Sequence, residues 1–158
     1  MTTLFIIATI VILSYPIFFK RKYNITSISE SYYVLEGIKE GLGMLFTLWC
    51  VTPAFLLFPV WVEIMPEQWQ FISFLCVVML GAVGCAPKFL THQRVQHYVF
   101  AASSVVLATI SAVILNTWVI PCLLTLTAVS YRINKNDLVF WVEVAAILGL
   151  LITISLRL

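Results

Sequence analysis

Charge is scarce in this sequence. Its 158 residues include nine Lys and Arg, seven Asp and Glu, and two His. Charged residues make up 10% and apolar ones 62%, against roughly 25% and 45–50% in an ordinary soluble domain. That balance excludes a soluble globular fold. A net charge of +2 is too small, and the basic residues too scattered, to build a nucleic-acid surface, so no nucleic acid is expected as a partner. The cysteines Cys50, Cys76, Cys85 and Cys122 form no CxxC pair and all fall inside apolar runs. They read as small buried hydrophobes, not as disulfide or metal-binding residues. GxSxG and HExxH are absent, which leaves nucleophilic and zinc-hydrolase chemistry with little support. His92 and His97 are five residues apart, a spacing that does not put both on one helical face. Neither a metal nor another cofactor is expected.

Long apolar runs are abundant. They occupy about 2–19, 43–62, 69–86, 97–115, 117–131 and 138–156, and all but the fifth are close to the roughly 17–25 residues that a spanning helix needs. Helices are the sensible assignment, because unpaired backbone is costly in hydrocarbon and the runs lack the alternation of barrel strands. The expected fold is therefore all-α, one bundle of six transmembrane helices over 1–158. Lys20-Arg21-Lys22 closes the first run, Pro66-Glu67 separates the second from the third, and Pro87-Lys88 ends the third. The fourth and fifth are divided only by Asn116-Thr117, which predicts a tight helical hairpin. The alternative is one kinked segment and five spans.

The distribution of charge favours six. With six spans, the connections after the first, third and fifth helices hold Lys20, Arg21, Lys22, Lys39, Lys88, Arg94, Arg132 and Lys135, and the opposite face holds only Arg157. Cytoplasmic loops carry the excess of Lys and Arg, so the loops 20–42, 87–96 and 132–137 are expected inside and both termini outside, in an inner (plasma) membrane. The first run is no secretory signal: it has no basic n-region or small-residue cleavage site, and its positive cluster follows the apolar stretch. Glu63 and Glu67 fall in an outer loop, where they read as solvated.

The 20–42 connection carries a helix signal of its own. Ser27-Ile28-Ser29-Glu30 fits an S-x-x-E capping box, and Ile28, Tyr32, Leu35 and Ile38 follow at helical spacing, with Glu36, Lys39 and Glu40 on other faces. A short helix at the cytoplasmic interface accounts for this, ending at Gly41 and Gly43 with its tyrosines at headgroup level. It is either a plain linker or a lid over the bundle. Asn24-Ile25-Thr26 matches a glycosylation acceptor but falls on the expected cytoplasmic side.

One ionisable residue lies well inside a span. Glu143 is about six residues into the sixth helix, and an intramembrane carboxylate is a functional hypothesis by default. Glu143, His97 in the first turn of the fourth helix, Ser29 and Glu30 all belong to the same side of the bundle and are the candidates for a polar vestibule facing the cytoplasm. Such a cluster would relay protons, line a solute or ion path, or hold a metal. The plainer reading pairs Glu143 with a nearby polar side chain that fixes helix packing. Ser103, Ser104 and Ser111 read as backbone-bonded. Ser104-Ala108-Ala112, Ala145-Gly149 and Gly81-Cys85 form small-residue stripes that let helices approach closely, within a monomer or between copies. Pro16, Pro53, Pro59 and Pro121 are candidate kinks.

The segments Ser27–Tyr33, Leu45-Phe46-Thr47-Leu48-Trp49 and Gly84-Cys85-Ala86-Pro87, together with His97, resemble a group of small bacterial and phage integral membrane proteins. That resemblance implies a shared multi-helix fold over about the first hundred residues and no activity. A fainter likeness is to the membrane hydrolases that include alkaline ceramidases and adiponectin-type receptors, whose motif of one Ser, one Asp and three His is not met by the two His here. Three expectations for function follow: solute, lipid or ion handling through the vestibule; an accessory or assembly role, with a homo-oligomer or a membrane protein as partner and the lipid bilayer as surroundings; and, third, an intramembrane metal-dependent hydrolase.

Overall fold

A computed structural model describes residues 1–89, 94–133 and 137–158, and these contain only helices and their connections. The order is α1 (Thr2–Tyr23), α2 (Glu30–Ile38), α3 (Met44–Ile64), a 3-10 turn (Glu67–Trp69), α4 (Gln70–Phe89), α5 (Arg94–Ile114), α6 (Val119–Ile133) and α7 (Leu138–Ser155). The expected loops at 87–96 and 132–137 fall partly outside the described residues, including His92 and Lys135. Five helices are long and apolar enough to cross a membrane, which is the make-up of a multi-pass membrane protein; α6 is apolar but shorter.

Helix ends depart from the sequence reading where local chemistry decides them. α1 continues through Lys20, Arg21 and Lys22 to Tyr23, because cations in a last turn oppose the negative end of the helix dipole. Asn24, at a φ of 51°, closes it by donating its N–H to the Lys20 carbonyl, the usual left-handed cap. Pro87 does not end α4, which runs on to Phe89. Pro16, Pro53 and Pro59 likewise lie inside their helices. In apolar surroundings a helix that loses one donor still satisfies more backbone than an open chain does. Pro121 lies in the first turn of α6, where its missing N–H has no intrahelical acceptor to lose.

α3, α4 and α5 pack in sequence, α1 lies along α3, and α6 lies along α7, while α7 touches α5 and α3 only over short stretches. Two apolar cores result. One gathers Phe19, Ile25, Ile28, Tyr32, Leu35, Phe46, Cys50 and Phe140; the other is built around Ala8, Leu57, Trp61, Cys76, Ala108, Ala112, Ile120 and Leu151. Polar clasps join the helices. Trp49 donates its indole N–H to the Val11 carbonyl at 3.1 Å and stacks on Tyr15 at 4.8 Å. Thr47 donates to the Gly84 carbonyl at 2.6 Å.

The ends of the bundle are tied separately. At one, Lys20 meets Asp137 at 2.5 Å, joining the end of α1 to the start of α7. At the other, Thr117 and Thr153 are 3.1 Å apart and Arg157 donates to the Leu115 carbonyl. The end of α7 is thereby joined to the short break between α5 and α6, where Asn116 has a φ of 59°.

The small residues act mostly within the bundle. Ala108, Ala112 and Ala145 are buried, and a Cβ on Gly149 would lie 3.0 Å from the Ile120 Cα and 2.6 Å from its Cγ1. Gly81, expected in a packing stripe, faces open space; Gly84 makes the close approach instead, with Cys50 Cβ 2.7 Å from where its own would be. The cysteines are also uneven, since Cys50 and Cys76 are buried but Cys122 is exposed, on a face of α6 that no neighbouring helix covers.

Gly149 and Gly81 therefore make a matched pair for mutation. Gly149→Ala should destabilise the bundle by about 1–3 kcal/mol through overpacking against Ile120, whereas Gly81→Ala should be neutral or stabilising by up to about 1 kcal/mol through helix propensity. Thermal unfolding of both variants in mild detergent distinguishes these outcomes.

Candidate functional site

The connection between α1 and α2 folds back onto the start of α7. Residues 24–29 lack regular helix, so their amides and carbonyls need outside partners. The Thr26 carbonyl accepts from Phe140 N–H at 3.1 Å, and the Ile25 carbonyl accepts from Lys20 Nζ at 2.8 Å. Ile28 N–H donates to Glu143 Oε2 at 2.6 Å. On the α1 side, Tyr15 and Ser31 hydroxyls are 2.8 Å apart. Ser31 donates to the Ile28 carbonyl at 2.6 Å, which leaves Tyr15 as the donor to Ser31. Glu143 thus serves as an acceptor for a backbone amide 115 residues away in the chain.

The capping box forms in a shifted version. Ser27 Oγ accepts from Glu30 N–H at 3.2 Å, as the motif requires. The Glu30 carboxylate, however, turns to Thr26, accepting from its amide at 2.6 Å and its hydroxyl at 2.8 Å. α2 begins at Glu30 and ends at Ile38, short of Gly41. Ile28, Tyr32 and Leu35 are buried on the bundle, but Ile38 is 57% exposed and leaves the expected stripe. Glu36, on the other face, accepts from the Gly41 and Gly43 amides at 3.0 and 2.9 Å and fixes the turn into α3.

Beyond Glu143 a cleft of about 130 Å³ opens between α3, α4, α5 and α7. Ile28, Ser29 and Glu143 line one end, together with Phe46 and Cys50, and the lining continues along Trp49, Ala54 and Leu57 to Trp61 and Cys76. From Cys50 to Trp61 the wall rises about 16 Å at 1.5 Å per residue. Its surface is almost wholly apolar. Ser104 is satisfied by the Ala101 carbonyl at 2.8 Å, and Cys76 donates to the Ser104 carbonyl at 3.3 Å. Among the described residues Glu143 is the only carboxylate on the lining.

The four candidate residues divide in two. Glu143 and Ser29 share the mouth of the cleft, while Glu30 is taken up by Thr26 and does not reach it. His97 is absent from the lining; it packs beside Tyr98, uses the Val83 carbonyl as a partner, and leaves Nδ1 buried without one. Among the described residues no three His, Cys, Asp or Glu side chains come together. The sequence reading did not single out the apolar wall. Ala54, Ala101, Ala108 and Ala146 hold back the bulk that would close the cleft, and no periodicity separates such alanines from ordinary packing alanines.

Comparisons with protein-family models, with curated proteins and with solved structures found no match. The functional reading therefore rests on this geometry.

Removing the Glu143 acceptor strands a buried amide at a cost of about 1–3 kcal/mol. Glu143→Ala should therefore raise amide hydrogen exchange across 25–32, while Glu143→Gln, which keeps an oxygen for Ile28, should leave most of the protection in place. Equal protection in wild type and the Ala variant would show that Glu143 does not hold the segment.

Proposed function

We propose that this is a six-span protein of a bacterial inner membrane that takes the apolar chain of a membrane lipid into the cleft above Glu143. The cleft itself carries the reading. Its lining is almost wholly apolar, so its walls offer hydrocarbon to whatever enters. An ion or solute path needs a run of polar groups through the bundle, and here the polar groups gather at one end. An assembly role calls for small-residue faces turned outward, whereas Ala108, Ala112 and Gly149 are buried inside the bundle.

Several observations support six crossings over five. α6 leaves the end where Thr117 meets Thr153 and runs along α7, with Ile120 against Gly149, toward the end where Asp137 meets Lys20. Its 15 residues cover about 22 Å, short of a core of about 30 Å, a mismatch that a bilayer absorbs by local thinning. Lys20, Arg21, Lys22 and Lys39 cluster at the α2 end, which makes that end cytoplasmic and places both termini outside. There α2 would lie in the interface, with Ser31, Tyr32 and Leu35 inward and Tyr33 and Ile38 outward.

This orientation predicts that a cysteine placed by Lys22→Cys stays shielded from an impermeant thiol reagent in intact cells, and that one placed by Glu67→Cys reacts. The reverse pattern inverts the topology. The lipid reading predicts a retained lipid adduct in native mass spectrometry from mild detergent. Narrowing the cleft by Ala146→Phe should remove most of that adduct, with thermal unfolding confirming that the variant folds. A folded protein with no adduct, or a variant that keeps it in full, would count against the cleft as the binding place.

A further inference from the structure

Within the lipid-binding reading, on which this inference rests, the mouth of the cleft adds a chemical preference. Glu143 Oε2 is engaged by Ile28 N–H, and no described residue bonds Oε1. Among the described residues no cation answers the carboxylate either: Lys20, which reaches the start of the same helix, is committed to Asp137 at 2.5 Å and to the Ile25 carbonyl at 2.8 Å. That is the one ion pair among the described residues. A carboxylate at the head of an apolar cleft is costly unless it is protonated or meets a cation. Among the described residues the lining supplies no cation of its own, since Glu143 and the cysteines Cys50 and Cys76 are its ionisable groups.

We infer that the cleft selects an amphiphile with a cationic amine head on a single apolar chain, the ammonium seated on the free Oε1 of Glu143 and the chain lying along α3 toward Trp61. Charge complementarity carries the head and the apolar wall carries the tail. Ser29, beside the carboxylate, adds a hydroxyl that can accept a second N–H from the same head. A fatty acid is disfavoured by repulsion between two carboxylates. A neutral alcohol of the same length fits the wall and can donate a hydrogen bond to the carboxylate, but it brings no charge to neutralise it.

The test uses the full chain in phosphatidylcholine nanodiscs at neutral pH, with binding of dodecylamine, dodecanol and dodecanoate measured against empty nanodiscs. The wild-type protein should prefer dodecylamine over dodecanol by about tenfold, the scale of a hydrogen bond to a charged group, and bind dodecanoate least. Glu143→Gln keeps the acceptor for Ile28, so it should abolish the preference and bring dodecylamine down to the level at which the variant binds dodecanol. Thermal unfolding in mild detergent checks that the variant is folded. Dodecanol bound as well as dodecylamine by the wild type, or an amine preference that survives Glu143→Gln, overturns the inference and leaves the lipid reading standing. If none of the three binds above empty nanodiscs, the lipid reading falls and the inference falls with it.

Discussion

Backbone that leaves a helix inside an apolar bundle has to find its hydrogen bonds elsewhere, and residues 24–29 are where this chain faces that requirement. Some of their partners are supplied locally by the first turn of α2, and the distant ones belong to the start of α7 and the last turn of α1. Phe140 N–H, the Glu143 carboxylate and Lys20 Nζ take up the carbonyls and amide of a six-residue stretch, and Lys20 carries the same hand on to Asp137. The unfavourable alternative is several unpaired polar groups in a low-dielectric interior, each costing on the order of a kcal/mol or more. The connection therefore acts as a seam that closes α1 onto α7, two helices far apart in the chain.

The cleft follows from how that seam is anchored. α7 is held at its start by the seam, at its end by Thr153 and Arg157, and along its length by α6 through Gly149. Against α3 and α5 it has only short contacts. Between the two tied ends, alanines on three of the four facing helices (Ala54 of α3, Ala101 and Ala108 of α5, Ala146 of α7) fail to fill the gap. α3 and α4, by contrast, are drawn together at Gly84 by Thr47, so the space lies on the α7 side of the bundle. The bundle is tight where glycine meets a side chain, at Gly84 and Gly149.

Much of the fold was legible in the sequence, because burial in hydrocarbon is written into runs of residue type. Every expected run corresponds to a helix within a few residues and the Asn116-Thr117 break is real, but α2 starts at Glu30 with Ser29, not Ser27, at its N-cap. The misreadings have local causes. Pro87 was read as a stop by the rules of aqueous helices, which an apolar setting relaxes. Gly81 and Gly84 are three apart on one helix, and nothing in the sequence says which of the two faces α3. The site was legible only in part. An ionisable residue in an apolar run singles out Glu143 on energetic grounds alone, and its membership of the same side as Ser29 follows from counting helices. His97 has no such constraint: a histidine in a first turn can face a neighbour or the interior, and here it faces Val83. The pairing of Glu143 with a backbone amide was not readable at all, since every residue has an amide and only tertiary structure selects Ile28.

That pairing gives Glu143 two duties that share one group. Oε2 holds down Ile28, and Oε1, in the proposed reading, takes the head of the occupant. The two oxygens share a delocalised charge, so a cation that draws density toward Oε1 weakens the acceptor that Ile28 relies on, and a stronger bond at Ile28 leaves less charge for an occupant. Lys20 and Asp137 set the scale of the response, because they fasten the same segment independently of Glu143 and keep it from leaving when that one bond weakens. A mouth held by a single shared carboxylate would open whenever it was used; a mouth held by a carboxylate and an ion pair beside it can loosen at Ile28 while the seam between α1 and α7 remains closed.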